Sequence, residues 1–261
     1  AYTSSGISGL GNEAVTLSDT TLAASVLNTL DGNTSGTINA SAVTTITGTA
    51  TDLITAYTSS GISGLGNEAV TITDNLSIAE LNNIAAQTTG VVTATLAANS
   101  IANLASLSIA ATDQITITIN DADATSITAT ELAAIGAATT GTVTVTNAVN
   151  IIGDHDQLTA ALVTAGTKVV VSDATVLIND ADATSITATE LAAIGGATTG
   201  TLTVSNNINI TGTSAAVVTA LGNVDTFSGT PTVNLENDHT LAELKAINDA
   251  ISGTITLNDY S

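Results

Sequence analysis

The sequence predicts an α/β repeat fold: a right-handed β/α solenoid, similar in plan to leucine-rich repeats, with a parallel sheet on one side and short helices on the other. Three observations predict it. First, the chain copies itself: INDADATSITATELAAIGAATTGT at 119–142 returns at 178–201 with one change, Ala137 against Gly196, and AYTSSGISGLGNEAVT at 1–16 returns unchanged at 56–71. Second, pairs of apolar residues one residue apart recur along the whole chain. Third, between them the apolar spacing switches from period 2 to the 3–4 spacing of a helix.

The strands come first. The leading apolar position falls at Val15, Ile38, Val70, Val92, Ile115, Val143, Val169, Leu202, Val233 and Ile255, and the second two residues later in each case. Such alternation marks a half-buried strand. Successive starts lie 22 to 33 residues apart, a solenoid period. Three longer units carry a further apolar stretch, AVNIIGD at 148–154, ATVLIND at 174–180 and NINITG at 207–212, each read as a second short strand.

The helices follow. SIAELNNIAAQTTG, ITATELAAIGAATTG, DQLTAALVTAG and LAELKAINDAISG place apolar residues at i, i+3, i+4 and i+7, an inward stripe. Capping boxes open four helices: Ser77 with Glu80, Thr128 with Glu131, Thr187 with Glu190, and Thr240 with Glu243. A carboxylate there also suits the positive end of the helix dipole. Gly90, Gly141 and Gly200 follow at one offset, where glycine can end a helix and turn the chain. Strand–helix–strand crossovers to a parallel neighbour are right-handed. The whole chain, 1–261, therefore reads as one array of about ten strand–helix units. With both ends inside the repeat pattern, it reads as a fragment of a longer repeat protein. A doubly wound α/β domain and a Greek-key sandwich are the competing architectures. The first prefers longer helices, and the second does not admit such regular capped ones.

Composition excludes several partners. Twenty-three acidic residues face two lysines, Lys168 and Lys245, and no arginine, giving a net charge of −21. Nucleic acid is excluded, because phosphate binding needs cations to displace counterions, and an anionic membrane surface is disfavoured for the same reason. No apolar run approaches the ~20 residues that span a bilayer, so no membrane insertion is expected. Absence of Cys removes thiol chemistry and disulfides. Aromatics make up only 2% of the chain, so the core must be thin layers of Ala, Val, Ile and Leu.

The candidate site is acidic. Asp121 with Asp123, Asp154 with Asp156, and Asp180 with Asp182 form DxD pairs at strand-to-helix turns. Calcium takes six to eight oxygens and favours alternating carboxylates in a turn, so calcium is the cofactor these pairs suit. The competing reading is a solvated Asx turn that caps a helix. Asp19, Asp74, Asp173 and Asp259, with Asn147, Asn206 and Asn237, fall at one offset from the strands. They predict a ladder at about 4.8 Å spacing, either of amides bonded to the next coil's backbone or of carboxylates bridged by a cation. His155 and His239 precede helices and read as turn residues. No nucleophile elbow and no dinucleotide fingerprint occurs, and the distinctive features recur where a catalytic site would be unique, so no enzyme is expected. Thr16, Thr71, Thr93, Thr116, Thr144, Thr203 and Thr256 predict a threonine row on the outer sheet face. Strand propensity accounts for it, and an ice-binding array is the rarer alternative.

Units such as ATELAAIGAATTGTVTVTN and LAELKAINDAISGTITLND resemble the Ala/Thr-rich, Lys-poor repeats of very large secreted or surface proteins of bacteria, marine cyanobacteria in particular. The resemblance covers most of the chain. It lies in composition and repeat grammar and not in a catalytic motif. It implies an extracellular or cell-surface location and a structural role in a surface layer, adhesin or filament. The expected partners are further copies of the chain or neighbouring repeats. A calcium-dependent adhesion module using the threonine face is the alternative function.

Overall fold

The computed structural model describes residues 10–164, 166, 168–236 and 239–257. The fold is α/β, with several all-parallel sheets and short helices. The contacts divide into two compact units. Of the described residues, unit 1 comprises those within 10–98, 106–117 and 138–142, and unit 2 those within 99–105, 118–137 and 143–257. Among the described residues no helix is long and apolar enough to cross a membrane.

In chain order, unit 1 carries β1 (Val15–Thr16), β2 (Thr21–Ala23), α1 (Ala24–Asp31), β3 (Ile38–Asn39), β4 (Thr45–Gly48), α2 (Ala50–Thr58), β5 (Ile62–Ser63), β6 (Ala69–Leu76), α3 (Ile78–Ala85) and β7 (Val92–Leu96). Next come α4 (Ile101–Leu104) in unit 2 and β8 (Gln114–Ile119), whose residues 114–117 belong to unit 1. Unit 1 has two sheets, β1-β3-β5 and β2-β4-β6-β7-β8. Their inward residues are short and branched. Ile46, Val70, Val92 and Ile115 are buried, as are Leu53, Leu81 and Ile84 of the helices.

Unit 2 continues with β9 (Ser126–Thr128), α5 (Ala129–Ala137), β10 (Val143–Val145), β11 (Asn150–Gly153), α6 (His155–Leu158), a π-helical turn (Thr159–Val163), β12 (Val169–Val171), β13 (Thr175–Ile178), β14 (Ser185–Thr187), α7 (Ala188–Gly196), β15 (Leu202–Val204), β16 (Asn209–Gly212), α8 (Ser214–Gly222), β17 (Thr226–Phe227), β18 (Thr232–Leu235), α9 (Leu241–Ala250) and β19 (Ile255–Leu257). Its sheets are β9-β11-β13-β15-β17 and β14-β16-β18-β19, and β10 pairs with β12. The three second strands expected from sequence are β11, β13 and β16. The helix expected from DQLTAALVTAG is short and widens into the π turn.

Strand columns depart from the sequence alignment at Val70, which pairs with Ile46 rather than with Ile38, at Val233, which pairs with Ile210 rather than with Leu202, and in two further places. Ile115 pairs with Ala94 rather than with Val92, a shift of two residues. Leu202 pairs with Val176 of β13 rather than with Val169. A two-residue slip keeps every apolar side chain on the same face, so alternation cannot distinguish the registers. The second case shows what the copied segment does. β13 pairs with β15 on its far side, and a few residues later β14 opens a fresh sheet with β16. The copy at 178–187 thus finishes one strand column and starts another. The copy at 119–128 opens β9 against β11 in the same register.

The connection between these strands is a tight turn. Thr125 N–H donates to Ala122 O at 3.0 Å, and Thr184 N–H to Ala181 O at 3.1 Å. Its third residue is left-handed without being glycine: Ala124 at φ 60° and Ala183 at φ 63°. An L-residue there costs about 1–2 kcal/mol. Ala124→Gly and Ala183→Gly are each expected to raise stability by about 0.5–1 kcal/mol, after the added freedom of the unfolded chain is deducted. Urea unfolding midpoints check this, and an unchanged or lower midpoint would deny that the turn is left-handed.

Candidate functional site

The polar side chains of the described residues form an ordered set of contacts between successive repeats. The helix starts are the simplest part. Thr49, Ser100 and Thr213 accept the third helical amide of α2, α4 and α8. All four expected capping boxes are formed, at Ser77, Thr128, Thr187 and Thr240. A fifth joins Asp154 to Gln157 at α6. In Glu131 and Glu190 the cap hydroxyl, and in Glu80 and Glu243 the cap amide, is the leading cause that holds the carboxyl below its ordinary range. A carboxyl depressed in the folded state contributes stability above its unfolded pKa of about 4.3 and loses it as pH falls through the folded value. Stability is therefore expected to fall on acidification from about pH 5 downward. A quadruple variant with Gln at Glu80, Glu131, Glu190 and Glu243 should show a shallower fall. Chemical denaturation at a series of pH values decides it, and equal slopes would refute the role of the boxes.

A second set of caps crosses between repeats. The first helical amide of α2, at Ala50, donates to Asp74 Oδ1 at 2.9 Å. That of α4, at Ile101, donates to Asp121 Oδ2 at 2.7 Å. That of α6, at His155, donates to Asp180 Oδ2 at 2.9 Å. Each aspartate lies 20 to 25 residues further along the chain, so it belongs to the following repeat. Asp74 sits between Thr71 and Asn75, where the register of β6 against β7 shifts.

The six candidate aspartates are thus placed individually. Asp121 and Asp180 cap helices of the preceding repeat. Asp123 Oδ1 accepts from Ala148 N at 3.1 Å, and Asp182 Oδ1 from Asn207 N at 2.9 Å, the same contact in both copies. Asp154 is the cap of α6, and Asp156 is exposed. Only Asp156 and Asp180 are brought together, at His155: Nδ1 lies 2.7 Å from Asp180 Oδ1 and Nε2 3.6 Å from Asp156 Oδ1. Burial of the ring opposes its charge, but the hydrogen bond and charge of Asp180, with Asp156 and Glu190, raise its pKa above the ordinary value. Among the described residues no group of three or more His, Asp or Glu is placed to hold a metal ion.

The expected bond from asparagine to the backbone of an adjacent repeat is made at Asn147 and Asn206, while the aspartates of the expected ladder make separate contacts. Asn147 and Asn206 each donate through Nδ2 to the backbone carbonyl of Asp121 and Asp180, both at 2.6 Å. Asp74 is the cross-repeat cap, Asp19 and Asp173 are exposed, and Asn237 and Asp259 lie outside the described residues. The threonine row is likewise broken by the column changes. Thr47, Thr71 and Thr93 align, as do Thr95 with Thr116 and Thr203 with Thr226, while Thr144 meets Val170.

Three features escaped sequence reasoning. The first is a Thr-x-Gly column. Thr34, Thr88, Thr139 and Thr198 donate to carbonyls of the preceding repeat, at Glu13 (2.7 Å), Glu68 (2.7 Å), Asp113 (2.9 Å) and Ala174 (2.6 Å). Each also accepts the amide of the glycine two residues on. Gly90, Gly141 and Gly200 do not have positive φ, and α3 and α7 are already capped at Ala86 and Ala197. These glycines serve close approach instead of ending the helices. A Cβ on Gly36, Gly90, Gly141 or Gly200 would lie 2.2 to 2.3 Å from a backbone oxygen of the preceding repeat. The signal was present in the sequence as TSG, TTG, TTG and TTG. The second feature is Glu68, fully buried, which accepts from the Tyr57 hydroxyl and from the amides of Gly66 and Asn67. Burial and the Glu68 carboxylate push the Tyr57 pKa up. The third is Asp113, buried, which accepts from Val92 N at 2.8 Å and Ala110 N at 2.9 Å.

An open hollow of about 520 Å³ in unit 2 is bordered by Phe227, Pro231, Asp225 and Asp249. Both carboxylates are engaged, Asp225 with Leu202 N at 2.8 Å and Asp249 with Lys245 at 2.5 Å. No protein family, curated protein or solved structure matches the chain.

Proposed function

We propose that the chain is a structural repeat segment, a right-handed β/α solenoid array serving an extracellular surface layer, adhesin or filament of a bacterium. Its partners are neighbouring repeats or further copies of itself. The observation that carries this reading is the use of the polar side chains. Aspartate, asparagine and threonine contacts recur 20 to 26 residues apart, from repeat to repeat, and answer backbone groups. A buried backbone donor left unpaired costs about 1–3 kcal/mol, so these contacts hold the stack together. They do not converge on a reacting atom, which argues against an enzyme. An acidic surface keeps such an array soluble.

The DxD turns supply the test. Five of their six carboxylates, all but Asp156, already accept backbone amides, so melting in millimolar calcium and in chelator is expected to agree within about 2 °C. A rise with calcium of more than about 5 °C, on the order of 1 kcal/mol, would replace this reading with a calcium-dependent binding module.

A further inference from the structure

One strand edge inside unit 2 lacks a neighbour, and the cause lies within the chain. β12 pairs with β10 through Val143↔Val169, Thr144↔Val170 and Val145↔Val171. The following repeat passes it by: β15 pairs with β13, which is also bonded to β11. Among the described residues, β10 is therefore the one strand partner of β12. The side chains register the gap. Val143 and Val145 are 0% and 2% exposed, whereas Val169 and Val171 are half-buried and Val170 is 52% exposed. Val143 N–H donates to Lys168 O at 3.1 Å. In a parallel ladder that phase turns the N–H and C=O of Val170 toward β10 and those of Val169 and Val171 toward the open side. The edge stops at Ser172, whose carbonyl accepts from Thr199 N at 2.8 Å.

The two ends of this edge carry opposite charge. Lys168 precedes it, Asp173 follows it, and both are exposed. Lys245 is paired with Asp249, but Lys168 has no ion pair among the described residues. We propose that the β12 edge is a docking site for the same edge of a second copy of this chain, the two strands running antiparallel about a two-fold axis at Val170. Val169 of each copy exchanges both backbone hydrogen bonds with Val171 of the other. Val170 meets Val170 in the non-hydrogen-bonded pair, where side chains approach most closely. Lys168 of each copy lies opposite Ser172 and beside Asp173 of the other. The occupant follows from this self-complementarity. An antiparallel copy sets the cation of one edge against the anion of the other, and a parallel copy would set like charges together. The contact is isologous and closes on itself, so it yields dimers and nothing larger. It rests on the structural-segment reading and gives that segment a side-by-side link between copies.

Sedimentation of the whole chain over a concentration series tests this, at about 0.15 M salt, where the repulsion between two acidic chains is screened beyond about 8 Å. The wild-type chain is expected to show a monomer–dimer equilibrium. Lys168→Asp and Asp173→Lys each set like charges together at both ends of the paired edges. Each, with an unchanged circular dichroism spectrum and melting curve, is expected to need about tenfold more protein to dimerise. An equimolar mixture of the two is expected to regain the wild-type association, because one variant presents only carboxylates there and the other only ammonium groups. A wild-type chain monomeric up to about 1 mM overturns the proposal and leaves the structural-segment reading to the calcium melting test. Oligomers beyond the dimer, single variants that associate like the wild type, or a mixture no better than its components overturn the assignment of this edge.

Discussion

Gly200→Ala is expected to destabilise the protein by about 2–4 kcal/mol, among the largest losses available to a one-carbon change. The added Cβ would lie 2.3 Å from Ala174 O, 2.6 Å from Asp173 O and 2.7 Å from Ala174 C. All three are backbone atoms, so no side chain can rotate away. The two repeats must separate, and the separation loosens Thr198, whose hydroxyl bridges Ala174 O and Gly200 N. Gly196→Ala is the control, four residues earlier in the same copy. Nothing lies within 4 Å of its Cβ position, and the other copy has Ala137 there. At the end of α7 that change is expected to be neutral or to stabilise by up to about 1 kcal/mol. Urea midpoints of the two variants separate a steric requirement from a general intolerance of change. Equal effects would refute the close-approach account.

Asp180→Ala is expected to cost about 2–4 kcal/mol, well above the cost of Asp182→Ala two residues away. Asp180 is 5% exposed and holds both the first amide of α6 and the His155 ring. Asp182 is exposed and accepts one amide. The loss should also depend on pH. A histidine whose folded pKa is raised contributes stability that is complete below its unfolded value of about 6.5 and disappears as pH rises through the folded value. The Asp180→Ala penalty is therefore expected to be larger at pH 5.5 than at pH 9. His155→Asn should flatten the wild-type profile across that window. A penalty independent of pH would mean that the ring contributes only as a neutral hydrogen-bond donor.

Local features were legible in the sequence, because their partners lie within four residues. The Ser/Thr–Glu boxes at Ser77, Thr128, Thr187 and Thr240 could be read from spacing alone. So could the strands at Val143, Asn150 and Thr175. α1, α2 and α8 lack the Ser/Thr–Glu box, so spacing alone does not mark their starts. Features between repeats were less legible. Asp74, Asp121 and Asp180 look like turn residues until the helix start they cap, 20 to 25 residues earlier, is laid beside them. Gly141 sits at the offset of a helix terminator, and only the approach of Ile115 O reveals its steric role. The register change at Ile115 is invisible to period-2 alternation for the same reason that it is structurally cheap: a slip of two residues leaves every side chain on its own face.

The central claim is that successive repeats stack as parallel strands in the observed register. The chain has no native cysteine, so an engineered pair reports on that register directly. Thr95 and Thr116 are register partners in β7 and β8, whereas Thr93 pairs with Gln114. Register partners fall within the 4.4–6.8 Å Cα span of a disulfide, and residues two positions out of register, on the order of 8 Å apart, do not. On mild oxidation, Thr95→Cys/Thr116→Cys is expected to close to a disulfide nearly completely, and Thr93→Cys/Thr116→Cys to remain reduced. The opposite preference, or no closure in either pair of a folded protein, would contradict the stacking of repeats described above.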